Sequence, residues 1–300
     1  MLSFYQHLPE HINPIAFSIG SFSMRWYSVM YLVGFSLVYY LLVYRIKTDK
    51  KLSEIFNFQF STLSTGRQVF NETQNSKLKN SKLENSKFKI QNYLIIDFIL
   101  YTFAGLLIGA RLGYVLFYNL SYYIQNPLVI ISPFENGNFV GIFGMSYFGG
   151  LVGIIITSII FCKKNKIDFW QWADFIVPAI PAGYFFGRIG NFLNGELYGK
   201  ATDHFWGMYF GDGMLRHPTQ LYEALLEGIL LFFILWFLRN KKKFSGYLLL
   251  VYLIGYGAIR FFVEFYREQD QALILGLTRG QILSVAVIIL ALIFIRRKSE

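Results

Sequence analysis

The sequence predicts an all-α integral membrane protein with seven transmembrane helices. Of its 300 residues 54% are hydrophobic, 19% aromatic and only 15% charged, and the apolar residues gather into long runs. Lys and Arg collect at alternate ends of those runs. Charged residues make up roughly a quarter of an ordinary soluble domain, so one bundle of spanning helices fits this composition better than two soluble domains. A single cysteine, Cys162, excludes an intramolecular disulfide framework, a thiolate metal cluster and a CxxC redox pair.

Residues 1 to 24 contain no Lys or Arg, so they lack the basic start of a cleaved signal peptide and are expected to form an amphipathic or re-entrant segment. Apolar stretches follow at about 26–44, 93–118, 139–162, 169–188, 219–238, 245–264 and 274–295, most of them near the roughly 20 residues that cross a hydrocarbon core. Most of the 28 basic residues lie in four clusters, Arg45 to Lys89, Lys163 to Lys166, Arg239 to Lys243 and Arg296 to Lys298. These follow the first, third, fifth and seventh stretches, so they share one side, which the positive-inside rule makes the cytoplasm. The C-terminus is therefore expected inside and the N-terminus outside. Residues 57–92 read as a low-complexity cytoplasmic insertion, with NSKLK, NSKLE and NSKFK repeating over 75–89. A five-residue period fits neither helix nor strand, and so polar a segment is expected to be disordered. The net charge of +10 follows mostly from this topology and requires no nucleic-acid partner.

The remaining basic residues, Arg25, Arg111, Arg188, Lys200, Arg216, Arg260, Arg267 and Arg279, map to the outer half of the membrane or the outer loops. A guanidinium at membrane depth costs at least about 2.5 kcal/mol, which marks Arg111, Arg188 and Arg260 as candidate site residues. Arg188, Asn191 and Asn194 recur every three residues, so a helix lines them along one stripe, and Glu196 adds a carboxylate at the exit. Arg260, Glu264 and Arg267 share a face at i, i+4 and i+7. In the fifth stretch, which opens His217-Pro218, the proline suits a first helical turn, and Gln220, Glu223 and Glu227 share a face running inward. The alternative for these carboxylates is a purely structural network of interhelical hydrogen bonds and ion pairs. Arginines and amides at headgroup depth suit an anionic phosphate, which a guanidinium fork grips through two oxygens. In a dry site, Arg188 and Arg260 would stabilise charge building on a departing phosphate oxygen. The sequence contains no Walker loop, HExxH or GxSxG motif, which weakens ATPase and hydrolase readings.

GRIGNFLNGELYG, from Gly187 to Gly199, closely resembles the signature of the prolipoprotein diacylglyceryl transferases. RWYSVMYLVGF from Arg25, GARLGYVLFYN from Gly109, GMSYFGGLVG from Gly144, RHPTQLYEALLEG from Arg216, GYGAIRFFVEFYRE from Gly255 and GQILS from Gly280 resemble that family's other blocks, in the same order. The resemblance covers nearly the whole chain except the insertion. It implies an enzyme of the bacterial cytoplasmic membrane that moves the diacylglyceryl group of phosphatidylglycerol onto the lipobox cysteine of an exported prolipoprotein, releasing glycerol phosphate. No metal and no soluble cofactor is needed for that reaction. By motif, Arg188 and Arg260 resemble the family's essential arginines, Asn191 and Gly199 other signature positions, Tyr27 the important tyrosine of the first span, and Glu196 and Glu264 further family acids. Arg188 and Arg260 would then hold the phosphate and stabilise the leaving group, with Asn191 and Tyr27 positioning the lipid and Glu264 either catalytic or orienting Arg260. Asn194, Glu196, Gly199, His217, Gln220, Glu223 and Arg111 complete the expected substrate-binding set. The chief departure is Phe148, where the family commonly has a histidine before the paired glycines. Either no histidine is needed there, or another group such as His217, Glu264 or Tyr27 helps, or the chain is a weakened relative.

These readings combine into one membrane-embedded transferase domain over residues 1–300, with a short outer head at 196–216 and its active site toward the outer leaflet. The rival is a non-catalytic carrier or transporter of anionic phospholipid, for which paired internal repeats are expected and none is convincing. A structural scaffold is a third reading, which leaves the intramembrane arginines unexplained.

Overall fold

A computed structural model describes residues 2–20, 22–49, 80–132, 134–135, 138–139, 144–241, 243–268, 273 and 275–299. The chain forms two compact units, one of residues 1–45 with 173–300 and the other of residues 46–172.

In the first unit, two short helices, α1 (Leu2–Gln6) and α2 (Leu8–His11), precede a hairpin of β1 (Ile15–Ile19) and β2 (Phe22–Arg25). Helix α3 (Trp26–Thr48) starts at the residue after the hairpin. The small helices lie on the segment expected to form the head, where Tyr5 donates to the Trp206 carbonyl at 3.1 Å and the His7 ring stacks on Tyr209.

Four more helical runs complete this unit. The stretch expected to be the fourth span is broken, with α7 (Phe169–Ile176) and α8 (Ile180–Leu193) separated by a 3-10 turn over Val177–Ala179. Pro178 and Pro181 lack the N–H that a continuous α-helix needs at these positions, which accounts for the break. The fifth stretch runs unbroken through α9 (Thr219–Glu223), a π-helical segment (Ala224–Leu230) and α10 (Leu231–Leu238). Helices α11 (Tyr247–Val263) and α12 (Arg279–Ser299) follow. Fully buried Asp174 caps α11 by accepting from the backbone N–H groups of Gly246, Leu248 and Leu249 at 2.8–3.1 Å. Thr278 and Gln281 cap α12 reciprocally, each side chain accepting from the other's backbone N–H, which is a capping box. Val177, Leu231 and Leu235 form the apolar centre, against which Leu249, Tyr252, Tyr256 and Ile259 pack.

The second unit is built on α4 (Asn80–Tyr118) and α6 (Tyr147–Lys164), with α5 (Leu120–Gln125), a 3-10 turn and the two-residue strands β3 (Phe134–Glu135) and β4 (Asn138–Phe139) between them. Glycines bring the two long helices together, because a Cβ on Gly153 would lie 2.0 Å from the Gly105 carbonyl oxygen. Backbones that close gain contact without displacing side chains, the usual small-residue packing of membrane helices.

The chain is helical and membrane-spanning in character, with qualifications to the expected pattern. Among the described residues, five helical segments are long and apolar enough to cross a membrane: Trp26–Thr48, Asn92–Tyr118, Tyr147–Lys164, Thr219–Leu238 and Arg279–Arg297. Tyr247–Val263 is apolar but shorter, and the 169–188 stretch is the broken one. The third helix begins at Tyr147 and not near residue 139, since the backbone pairs as β3–β4 before it. Among the described residues, three small two-stranded hairpins, at β1–β2, at β3–β4 and at β5 (Met208–Tyr209) with β6 (Leu215–Arg216), accompany the helices of this all-α fold. Of the insertion expected to be disordered, residues 57–79 lie outside the described residues. From Asn80 onward the same segment is helix, continuous with the second span. A nucleated helix extends at the cost of one residue's freedom per added bond, and the Lys, Leu and Glu content of this stretch favours helix.

Candidate active site

Three helical runs of the first unit meet around one carboxylate. Helix α8 carries Tyr184, Arg188 and Asn191 at i, i+4 and i+7, α9 carries Gln220 and Glu223, and the end of α11 presents Arg260, Glu264 and, just beyond it, Arg267. Glu223 is the hub. Its Oε2 lies 2.6 Å from Arg188 Nε, while its Oε1 accepts from Arg260 at 2.8 Å and Arg267 at 2.5 Å. Glu264 bridges the latter two from the other side, with Oε2 at 3.1 Å from Arg260 and 3.6 Å from Arg267. The two bonds accepted by Glu223 Oε1 are charge-assisted, the strong class of hydrogen bond.

Burial orders the cluster in depth. The Glu223 side chain is 1% exposed, whereas those of Arg188, Arg260 and Arg267 are 16%, 17% and 19% exposed. The carboxylate is therefore the most deeply buried of the four side chains, and each arginine side chain keeps part of its surface exposed. Arg188 is oriented further by the Tyr184 hydroxyl, 2.8 Å from its Nε, and by donation to Asn191 Oδ1 at 3.3 Å. Asn191 in turn donates to Glu196 at 2.9 Å, and Gln220 donates to the Glu196 backbone carbonyl at 2.7 Å. Arg188 and Asn191, two of the three residues in the expected stripe, thus lie in one hydrogen-bonded chain from Tyr184 to Glu196. Tyr27 lies against Gly190 of α8, bonded to the Tyr31 hydroxyl at 2.8 Å and close enough to Arg188 and Glu196 to feel their charges. Asn194 ends α8, and its Oδ1 is buried with no hydrogen-bond partner among the described residues.

Gly199 acts through its backbone. It pairs with Arg267 in an isolated antiparallel bridge and donates to the His217 carbonyl at 2.8 Å. A Cβ there would sit 2.3 Å from the Tyr266 carbonyl oxygen, so only glycine lets the head segment close on the chain that carries Arg267. His217 itself is not among the guanidiniums. Its buried ring bonds the Tyr222 hydroxyl at 3.0 Å and packs on Tyr266. Burial, with His204 nearby, pushes its imidazole below the ordinary range. In the head, Arg216 is tied to Asp212, to Glu268 and to the Gly199 carbonyl.

Arg111 belongs to the other unit. Its donors go to the carbonyls of Ile130, Val129 and Gly144 at 2.7, 2.7 and 3.3 Å, and its guanidinium lies over the Tyr123 ring. In its own unit it ties α4 to the chain before α6. Phe148, also in that unit, is half exposed near the start of α6.

The structure adds two residues to the expected set. Arg267 shares the Arg260 face in the sequence, yet only the fold shows that it reaches the same oxygen of Glu223. Tyr184 stands four residues before Arg188, but among 21 tyrosines nothing local singles it out.

The profile of the family described as prolipoprotein diacylglyceryl transferase matches residues 14–67 and 75–297. The part of the expected insertion that it passes over is therefore only residues 68–74. Among curated proteins, the phosphatidylglycerol–prolipoprotein diacylglyceryl transferase of Chlorobaculum tepidum is 41% identical over 95% of this chain and 90% of its own length. The proteins of that name from Campylobacter hominis and Campylobacter jejuni are each 40% identical, over 96% and 97% of this chain and 92% and 96% of theirs. With its profile match and its relatives both running almost end to end, the chain belongs to the prolipoprotein diacylglyceryl transferase family.

Proposed function

We propose that this protein transfers the diacylglyceryl group of phosphatidylglycerol to the lipobox cysteine thiol of exported prolipoproteins, the first step of lipoprotein maturation. The observation that carries the proposal is the convergence of Arg188, Arg260 and Arg267 on buried Glu223, each arginine side chain still 16–19% exposed. Guanidiniums held in this way are already placed for a phosphate, so little reorganisation is needed as charge develops. In the reaction, the cysteine sulfur forms a bond to the glyceryl carbon as the bond from that carbon to the phosphate oxygen breaks. The electron pair leaves with glycerol phosphate, whose added charge Arg188 and Arg260 stabilise. Asn191 and Tyr27 position the lipid, and Glu264 orients Arg260. The thiol proton passes to solvent or buffer, since a thiol of pKa about 8.5 is already a few per cent thiolate near neutrality and nearby guanidiniums increase that share.

The chain is read as seven spans in the bacterial cytoplasmic membrane, N-terminus outside and C-terminus in the cytoplasm. The site then faces the outer leaflet, where lipid and signal peptide meet. The basic clusters support this orientation. Phe148 favours a second reading, a non-catalytic carrier of anionic phospholipid, because it cannot accept a proton where the family's pattern has histidine.

Purified protein in phosphatidylglycerol liposomes, given a lipobox peptide, tests the two. Labelled diacylglyceryl should appear on the cysteine peptide, be absent from a Cys-to-Ser peptide and vanish with Arg188→Ala. Lipid binding without transfer, in an assay validated on a relative, would favour the carrier, and Phe148→His would then be the variant to assay.

A further inference from the structure

Arg267 has no role in the mechanism above, yet it is built into the site as firmly as Arg260. We infer that Arg267 is a further contact for the substrate phosphate, forming with Arg260 a two-guanidinium clamp that Glu223 holds open from behind. The inference rests on the transferase reading for the identity of the ligand, and on the geometry alone for the clamp.

Both Nη1 atoms reach the same oxygen of Glu223, at 2.8 Å from Arg260 and 2.5 Å from Arg267. The two nitrogens are therefore no more than about 5 Å apart, a gap that two oxygens of one phosphate bridge at charge-assisted distances of about 2.8 Å. Glu223 and Glu264 each bridge Arg260 and Arg267, but Glu223 is also shared with Arg188, so three guanidiniums outnumber these two carboxylates by one charge and an approaching anion is favoured beside the pair. Their exposure sets the direction of approach. Arg267 and Arg260 are the accessible layer and Glu223 the buried one, so an anion meets the guanidiniums before it meets the carboxylate.

The backbone of Arg267 is fixed where most chains fray. It lies beyond the end of α11, but the bridge to Gly199 and donation from Lys200 N to the Tyr266 carbonyl at 2.9 Å tie this segment to the head. The head therefore sets the reach of Arg267, while α11 sets that of Arg260. Glu223 is a positioning residue in this arrangement, and Arg267 a substrate contact.

The test compares wild type, Arg267→Gln and Arg267→Lys as full-length protein in proteoliposomes. Transfer is measured against both substrates, and binding of glycerol 1-phosphate is measured separately by calorimetry. Loss of one charge-assisted contact predicts that Arg267→Gln raises KM for phosphatidylglycerol and Kd for glycerol 1-phosphate at least about tenfold, with KM for the lipobox peptide unchanged. Arg267→Lys, which keeps the charge but not the fork, should fall between. Parallel changes in both KM values, or an unchanged Kd for glycerol 1-phosphate, would show that Arg267 only braces the head, and would overturn the clamp. Should wild type transfer nothing, the transferase reading fails, while the calorimetric comparison still decides whether the clamp binds the phosphate.

Discussion

Replacing Glu223 tests the logic of the whole cluster. Glu223→Ala removes an anion within 2.5–2.8 Å of three guanidiniums and leaves Arg188, Arg260 and Arg267 facing one another, with Glu264 still bridging Arg260 and Arg267. Removing one partner of a buried ionic network costs about 3–5 kcal/mol. Because the arginine side chains are 16–19% exposed and water reaches them in part, the lower end applies, about 3 kcal/mol. The carboxamide of Glu223→Gln fills the same space and keeps one acceptor oxygen, so it should recover packing but not charge balance, and fall between wild type and Glu223→Ala. Unfolding of the detergent-solubilised protein by SDS titration reads stability, and the proteoliposome assay reads transfer. Transfer should drop about a hundredfold in Glu223→Ala, the scale expected when reactive groups move by about an ångström. A Glu223→Ala protein within about 0.5 kcal/mol of wild type, the range of an ordinary surface substitution, with transfer intact, would refute the hub.

Two further outcomes follow from particular contacts. A Cβ on Gly280 would lie 2.6 Å from the Glu264 carboxyl group, so Gly280→Ala should push that carboxylate off Arg260 and slow transfer several-fold. Its unfolding midpoint should barely move, since the displaced group is the end of a flexible side chain; wild-type kinetics in this variant would count against an orienting role for Glu264. His217 supplies a pH dependence. Its folded pKa lies below the ordinary value of 6.5, so between those two values the unfolded chain binds more protons, and stability rises with pH across that window. Acidification from about pH 6.5 should therefore destabilise wild type more than His217→Gln, as seen by unfolding at a series of pH values; equal slopes would mean that the ring gains its proton as easily folded as unfolded.

Much of the site was legible because membrane depth makes charge conspicuous. Arg188 and Arg260 stand out in apolar stretches where a guanidinium is expensive, and helical spacing placed Asn191 with the first and Glu264 with the second. Helical spacing also put Gln220 and Glu223 on one inward face. Arg111 stands out by the same signal, but its own unit shows it donating to backbone carbonyls, because composition marks a buried charge without saying what answers it. The break in the 169–188 stretch and the helix from Asn80 were not legible for a related reason, since hydropathy and repeat period report burial and local regularity but not how prolines and an existing helix redirect the chain.

The sequence by itself determined the membrane character, the order of the helical segments, the arginine and carboxylate faces and the family, because each rests on composition, local periodicity or contiguous motifs. Tertiary structure alone decided that Glu223 is the hub, that Arg267 joins Arg260 on one oxygen, and that Gly199 is needed for its missing side chain. Those facts depend on residues 18 to 68 positions apart, such as Gly199 with His217 or with Arg267, meeting at distances of a few ångströms. Spacing along a single helix carries no information about which face of another helix will close upon it.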